Sequence, residues 1–223
     1  MSQTTQPVAE RIAHGIDLDA HENFLAYAKE NPDAVQFGLR AQGTDEGRVL
    51  HTRSTTGTYS LGGEEIDRVA RDYTYHFGGH KEVEDHVGFV DPTDREEAIE
   101  VALAALTGCI NGAISMSAVQ AGVDLDEIET NITVDWDPSV FLGLTETTDA
   151  DGAATDTWGD LQIDIEVSGE DVDDETLAQV REWADPSWVY NLCDTRTQGH
   201  PERLNDGRPG DLIVTGDPKR PNH

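Results

Sequence analysis

The chain has 223 residues, 45 of them acidic and 15 basic, for a formal net charge of -30. That balance excludes nucleic acid as a partner, because the surface repels phosphates, and the length suits a core of ordinary size. The acids are spread through periodic patterns rather than gathered in a block, and lysine occurs only at Lys29, Lys81 and Lys219. This points to a folded protein whose self-repulsion is screened by dense salt, a halophilic cytosol, rather than to disorder. Met1 to Gln6 is polar and has no apolar h-region, so no signal peptide is expected. No stretch reads as a membrane span either, because Asn111, Ser115 and Ser117 interrupt the most apolar run. A cytoplasmic protein with no membrane partner is the expectation.

The first dozen residues read as a loose arm, followed by an amphipathic helix over 17–30. Asp17 or Asp19 caps it, and Pro32 ends it. Residues 1–33 form this arm and helix, and 34–223 are expected to form a single domain. Residues 34–40 and 48–55 have strand character, separated by a turn-like Gln42 to Gly47. Tyr59 to Leu61 is a short strand before Gly62-Gly63. The stretch 66–77 alternates towards its end, with Tyr73, Tyr75 and Phe77 on one face, and Gly78-Gly79 stops it.

The stretch 93–121 is the most informative. Thr93 or Asp94 is a candidate cap, and Glu96 and Glu97 sit where a helix N-terminus favours acids. From Ile99 onward it is apolar nearly all round, which predicts a long buried helix ending at Gly122. Strand patterns follow at 127–136 and 161–167, with a turn and a long acidic loop over 138–160 between them. A helix over 173–184 and a closing strand over 212–215 complete the chain. The sum is α+β: antiparallel sheets packed around a long buried central helix.

Two cysteines, Cys109 and Cys193, are too few for a disulfide scaffold and lack the spacing of a structural zinc site. His76, His80, Glu82, Asp85 and His86 lie close together, but Gly78-Gly79 breaks the helical spacing. They match no metal template, so no metal and no cofactor is expected. On its own, Cys109 reads first as a small hydrophobe in a core helix. Glu100 reads first as an acid that stabilises a helix N-terminus.

The wider sequence changes both readings. Glu100-Val101-Ala102-Leu103-Ala104-Ala105-Leu106-Thr107-Gly108-Cys109 resembles the signature of the OsmC-like family, a glutamate and a Leu/Ala-rich turn leading to a peroxide-reactive cysteine. Ala121 to Leu125 resembles the family's helix exit. Val134-Asp135-Trp136-Asp137 with Phe141-Leu142-Gly143-Leu144 resembles a second segment, and Asp185 to Asn191 resembles the turn after the last helix. The four pieces occur in the family's order, and the resemblance spans about 35–214.

The resemblance implies an OsmC-like fold in an intertwined homodimer, and a thiol-dependent hydroperoxide reductase. Cys109 would be the peroxidatic cysteine, held as thiolate by an arginine that Glu100 orients. Arg48 is the preferred match, with Arg40 and Arg53 as alternatives. The partners implied are a hydroperoxide and an external dithiol. Where the peroxidases carry a second cysteine this chain has Ser187, and Cys193, six residues later, is the candidate resolving thiol. Ala98 replaces the family's proline before Glu100. The alternative is a non-catalytic OsmC-like protein that binds a small apolar ligand or senses redox state without turnover.

Overall fold

The structure is a computed structural model and describes residues 11–67, 71–148, 161–170, 172–185 and 187, and the backbone of 212–217. The chain divides into two compact units, Met1–Val101 and Ala102–His223. Their boundary falls in the first turn of a long helix.

Unit 1 opens with a small antiparallel pair, β1 (Ile12–Ala13) and β2 (Ile16–Asp17). Helix α1 (Leu18–Glu30) follows, and the Asp17 carboxylate accepts from the Ala20 N–H, as the capping pattern predicts. A 3-10 turn over Pro32–Val35 leads into β3 (Phe37–Gly38) and β4 (Ala41–Asp45). Next come β5 (Thr52–Thr56), β6 (Tyr59–Leu61), β7 (Glu64–Ile66) and β8 (Thr74–Phe77). They form two antiparallel three-stranded sheets, β3-β6-β7 and β4-β5-β8. The β6–β7 hairpin turns on Gly62 and Gly63, whose φ values of 57° and 82° favour glycine.

The expected turn at Gln42–Gly47 is a correction. Residues Gln42–Asp45 are strand, paired in register with Thr52–Thr55, and the turn lies after them. β4 is exposed along its whole length and has no apolar alternation to announce it. Backbone pairing with β5 defines it instead. Helix α2 (Lys81–Val87) ends at Gly88, in the left-handed conformation.

The long helix α3 (Ala98–Ala121) starts later than its sequence suggested. Thr93 and Asp94 do not cap it. Asp94 instead accepts from the Lys81 N–H at the start of α2. Glu97 and Glu100 close the N-terminus of α3 between them: Glu97 accepts from the Ile99 N–H, and Glu100 reaches back to the Glu97 N–H. This is the logic of a capping box.

Unit 2 holds all the buried apolar side chains of the described residues. Strand β9 (Glu127–Thr133) pairs antiparallel with β10 (Gln162–Ser168), so that Ile163 faces Ile132 and Val167 faces Ile128. Helix α4 (Asp174–Ala184) is capped by Asp173 and brings Val180 and Ala184 to the core. Strand β11 (Leu212–Asp217) pairs with β10 in parallel, which corrects the all-antiparallel expectation. Strand direction is set by the route of the connecting chain, and local composition carries no record of it.

α3 packs on this sheet along one stripe, Leu106, Ile110, Ile114 and Ala118, at four-residue spacing. All-round burial was expected from its composition, but away from the stripe only Val119 is buried, and its remaining side chains are open or half-covered. By length and mean hydropathy α3 also meets the test for crossing a bilayer, against the sequence expectation. Its place in the unit 2 core accounts for the apolar stripe. Asn111 sets the rotation of the helix: its amide donates to the Ile128 carbonyl of β9 and accepts from the Thr130 hydroxyl at 2.6 Å.

The polar face of β9 and β10 places Glu129 directly opposite Glu166. Like charges so placed destabilise a sheet by about 0.2–1 kcal/mol, and salt screens them. Glu129→Gln should therefore raise the melting temperature in dilute buffer, and the gain should shrink near 1 M salt, where the Debye length is about 3 Å. Thermal melts of both proteins across a salt series check this.

Candidate functional site

Cys109 lies on α3 away from the buried stripe. Counting along the helix at about 100° per residue, Cys109 lies roughly 60° round from Leu106 and roughly 100° from Ile110, on the flank that also carries Ala102, Ala105, Gly112 and Met116. Ala102, Ala105, Gly112 and Met116 are exposed, and Cys109 is half-buried among them. The sulfur is therefore borne by a surface of small residues rather than packed into the core of unit 2. Asn111, two residues on, locks the helix in the rotation that produces this. Ser187 is buried just past the end of α4, where its N–H donates to the Ala184 carbonyl. Cys193 lies outside the described residues.

Glu100 is in unit 1. Its Oε1 is 3.0 Å from His80 Nε2. The hydrogen bond with His80, helped by the Glu97 N–H, holds the Glu100 carboxyl below its ordinary value. The same bond raises the His80 imidazole, against a smaller desolvation effect. Both side chains are about half exposed, so the pair is worth little in stability. Sequence reasoning had grouped His80 with a metal cluster. Among the described residues no three His, Cys, Asp or Glu side chains are grouped to hold a metal. His76 faces Glu46, which also pairs with Arg95, and His86 Nδ1 faces the Glu82 carbonyl.

Arg48 belongs to a more elaborate arrangement. The turn after β4 is tight: the Gly47 N–H donates to Asp45, the His51 N–H to the Arg48 carbonyl, and the Glu46 N–H to the His51 carbonyl. Leu50 takes φ of 67°, a conformation rarely adopted by a residue with its side chain. This loop carries both Arg48 and His51 to α2. At the end of α2, the Phe89 N–H returns to the Glu84 carbonyl as the chain reverses at Gly88. Phe89 is thereby placed against both: its ring stacks with His51 at 6.2 Å and lies 5.2 Å from the Arg48 guanidinium.

Glu84 sits at the centre of this arrangement, with its side chain fully buried beside a His51 that is 3% exposed. Its Oε1 is 2.5 Å from His51 Nε2. Its Oε2 accepts from the Thr93 N–H at 2.8 Å and lies 3.5 Å from Arg48 Nη2. Arg48 Nη2 also donates to the carbonyls of Val90 and Asp91. Burial alone would raise the Glu84 carboxyl. The hydrogen bonds from Thr93, His51 and Gly79 outweigh burial and hold it at about 2.

Sequence reasoning missed Glu84, His51 and Phe89. Glu84 stands in Lys81-Glu82-Val83-Glu84-Asp85-His86, where nothing distinguishes a buried acid from its solvated neighbours. Only the pairing of loop with helix selects it. Of the alternative arginines, Arg40 pairs with Glu65 at 2.6 Å on the surface, and Arg53 lies exposed on β5 opposite His76.

No family model and no curated protein matches the chain. Solved structures similar to it include OsmC-like and organic hydroperoxide resistance proteins. An OsmC-like protein from Mycoplasma pneumoniae is 9% identical with a TM-score of 0.46, over 82% of this chain and 96% of that one. An organic hydroperoxide resistance protein from Elizabethkingia anophelis is 11% identical with a TM-score of 0.43, over 82% and 99%. A third, from Vibrio cholerae, has captopril bound in one of its active sites; it is 14% identical with a TM-score of 0.39, over 80% and 90%. Likenesses at this level carry no part of the functional reading below.

The folded Glu84 carboxyl titrates at about 2, below its ordinary 4.5. Its contribution to stability is therefore present in full above pH 4.5 and is lost as the pH falls from there towards 2. Glu84→Gln removes the titration. The melting temperature of wild type should exceed that of the variant most near neutral pH, and the gap should narrow steadily in acid. Paired melts across that range measure it.

Proposed function

We propose that the chain is a thiol-dependent hydroperoxide reductase with Cys109 as the peroxidatic cysteine. The observation that supports this is the placement of Cys109 on the open side of α3, in a segment that resembles the OsmC-like signature. A structural cysteine in a helix this apolar belongs on the buried stripe; this one does not lie there. The thiolate attacks the terminal oxygen of an organic or inorganic hydroperoxide. The O–O bond breaks, the sulfur is oxidised to a sulfenic acid, and the other oxygen takes a proton and leaves as an alcohol or water. An external dithiol then attacks the sulfenic sulfur and releases water. Its second thiol displaces the Cys109 thiolate from the mixed disulfide. The resemblance gives Glu100 and Arg48 the supporting roles and Cys193 that of a resolving thiol.

A homodimer is part of this reading. Among the described residues unit 1 has no buried apolar side chain, yet it exposes Phe24, Tyr27, Phe37 and Tyr73. In unit 2 the side of α3 that bears Cys109 leaves Met116 40% exposed. Exposed aromatic side chains of this kind suit a protein–protein contact, and a helix apolar all round calls for cover on every side. A second copy supplies cover of the same chemistry.

Peroxide consumption with a dithiol in high salt tests the activity. Wild type should turn over, Cys109→Ser should fall to background, and Arg48→Ala and Glu100→Gln should lose rate with Cys109 intact. Cys193→Ser reports whether that thiol takes part. Wild type at background would end the peroxidase reading. Sedimentation in high salt tests the assembly: wild type should run as a dimer, and Met116→Glu should shift it towards monomer.

A further inference from the structure

Arginine can be held in two ways, and only one survives dense salt. An exposed pair such as Arg40–Glu65, with both side chains more than half exposed, weakens as the Debye length contracts. A carboxylate withdrawn from solvent is screened far less, but its desolvation must be offset by hydrogen bonds and a countercharge. Glu84 meets that requirement. His51 Nε2 and the Thr93 N–H occupy its two oxygens, and Arg48 is the permanent cation beside it. Every hydrogen bond and ion pair of the Arg48 side chain with the described residues uses Nη2. Nε and Nη1 donate to no described residue, and the side chain is 30% exposed. Phe89 backs both the guanidinium and the His51 ring.

We infer that Glu84, seated by His51 and Phe89, is the positioning residue of Arg48, fixing its guanidinium so that the Nη1 N–H groups are held ready for an oxygen acceptor. Used in the proposed reaction, that acceptor is the peroxide or the oxygen that leaves it, so the inference rests on the reading of Arg48 given above. Glu84 touches no reacting atom. It acts through Arg48, and a positional error of an ångström in such a group costs about a hundredfold in rate.

Two readouts on the full-length protein in high salt test this. The first is the Arg48 side-chain Nε–H resonance, assigned by its loss in Arg48→Ala. In wild type it should stand apart from the exposed arginines, and in Glu84→Gln it should move to join them. The second is peroxide consumption by Arg48→Ala, Glu84→Gln and the double variant. Each single variant should lose at least about tenfold, and the double should lose no more than Arg48→Ala alone. An Arg48 resonance unmoved by Glu84→Gln overturns the inference, as do losses that multiply in the double variant. Wild-type turnover in Arg48→Ala instead overturns the catalytic reading of Arg48, and the resonance then decides the positioning claim by itself. If Glu84→Gln fails to fold, as a melt would show, Phe89→Leu replaces it. A shift of the Arg48 resonance in that variant supports the inference, and an unmoved resonance overturns it.

Discussion

Unit 1 is organised around a charge. Of its described side chains only Glu84 and His51 are withdrawn almost wholly from water, and no apolar cluster accompanies them. The carboxylate collects a strand-connecting loop through His51 and Arg48, a helix through its own backbone, and the segment leading to α3 through Thr93. A hydrophobic core tolerates small shifts in packing at modest cost. A buried carboxylate does not, because each hydrogen bond it loses leaves an uncompensated charge. The arrangement is directional where an oily core is not.

Unit 2 follows the opposite rule. Its core is a sheet face of Ile163, Ile165 and Val167 under α3 and α4, and area alone accounts for most of its stability. One polar contact supplies direction here too. Asn111 ties α3 to the edge of β9, so the helix cannot roll to bury Ala105 and Cys109 in place of Leu106 and Ile110. An apolar helix with no strong amphipathic preference needs such a latch, since its composition fits several rotations equally well.

That distinction explains what could be read in the amino-acid order. Elements with a cap or a clear period were legible. Asp17 announced α1, the apolar spacing of 173–184 announced α4, Gly62-Gly63 and Gly78-Gly79 marked strand ends, and 161–167 alternated cleanly. β4 was not legible because it is exposed on both faces. The start of α3 slipped because Asp94, a good cap by type, serves α2 across a turn. The direction of β11 depends on the route of the chain rather than on the residues in the strand. Cys109, Glu100 and Arg48 were candidates named from a resemblance. Glu84 had no such aid, since a buried acid looks like any other acid until its neighbours are known.

α3 also has a history within each round of synthesis. Its core stripe finds its partners on β10 and α4, and β10 begins at Gln162, some forty residues after the helix ends at Ala121. At about 5–20 residues per second, a ribosome needs roughly 2 to 8 s to cover that distance. Throughout that interval the stripe of the 24-residue helix lacks β10 and α4, and β9 is the one sheet strand yet made that can meet it. The long acidic segment 138–160 follows β9 and is made before β10. Negative charge at that place opposes association of the half-covered helix with its neighbours until β10 is made.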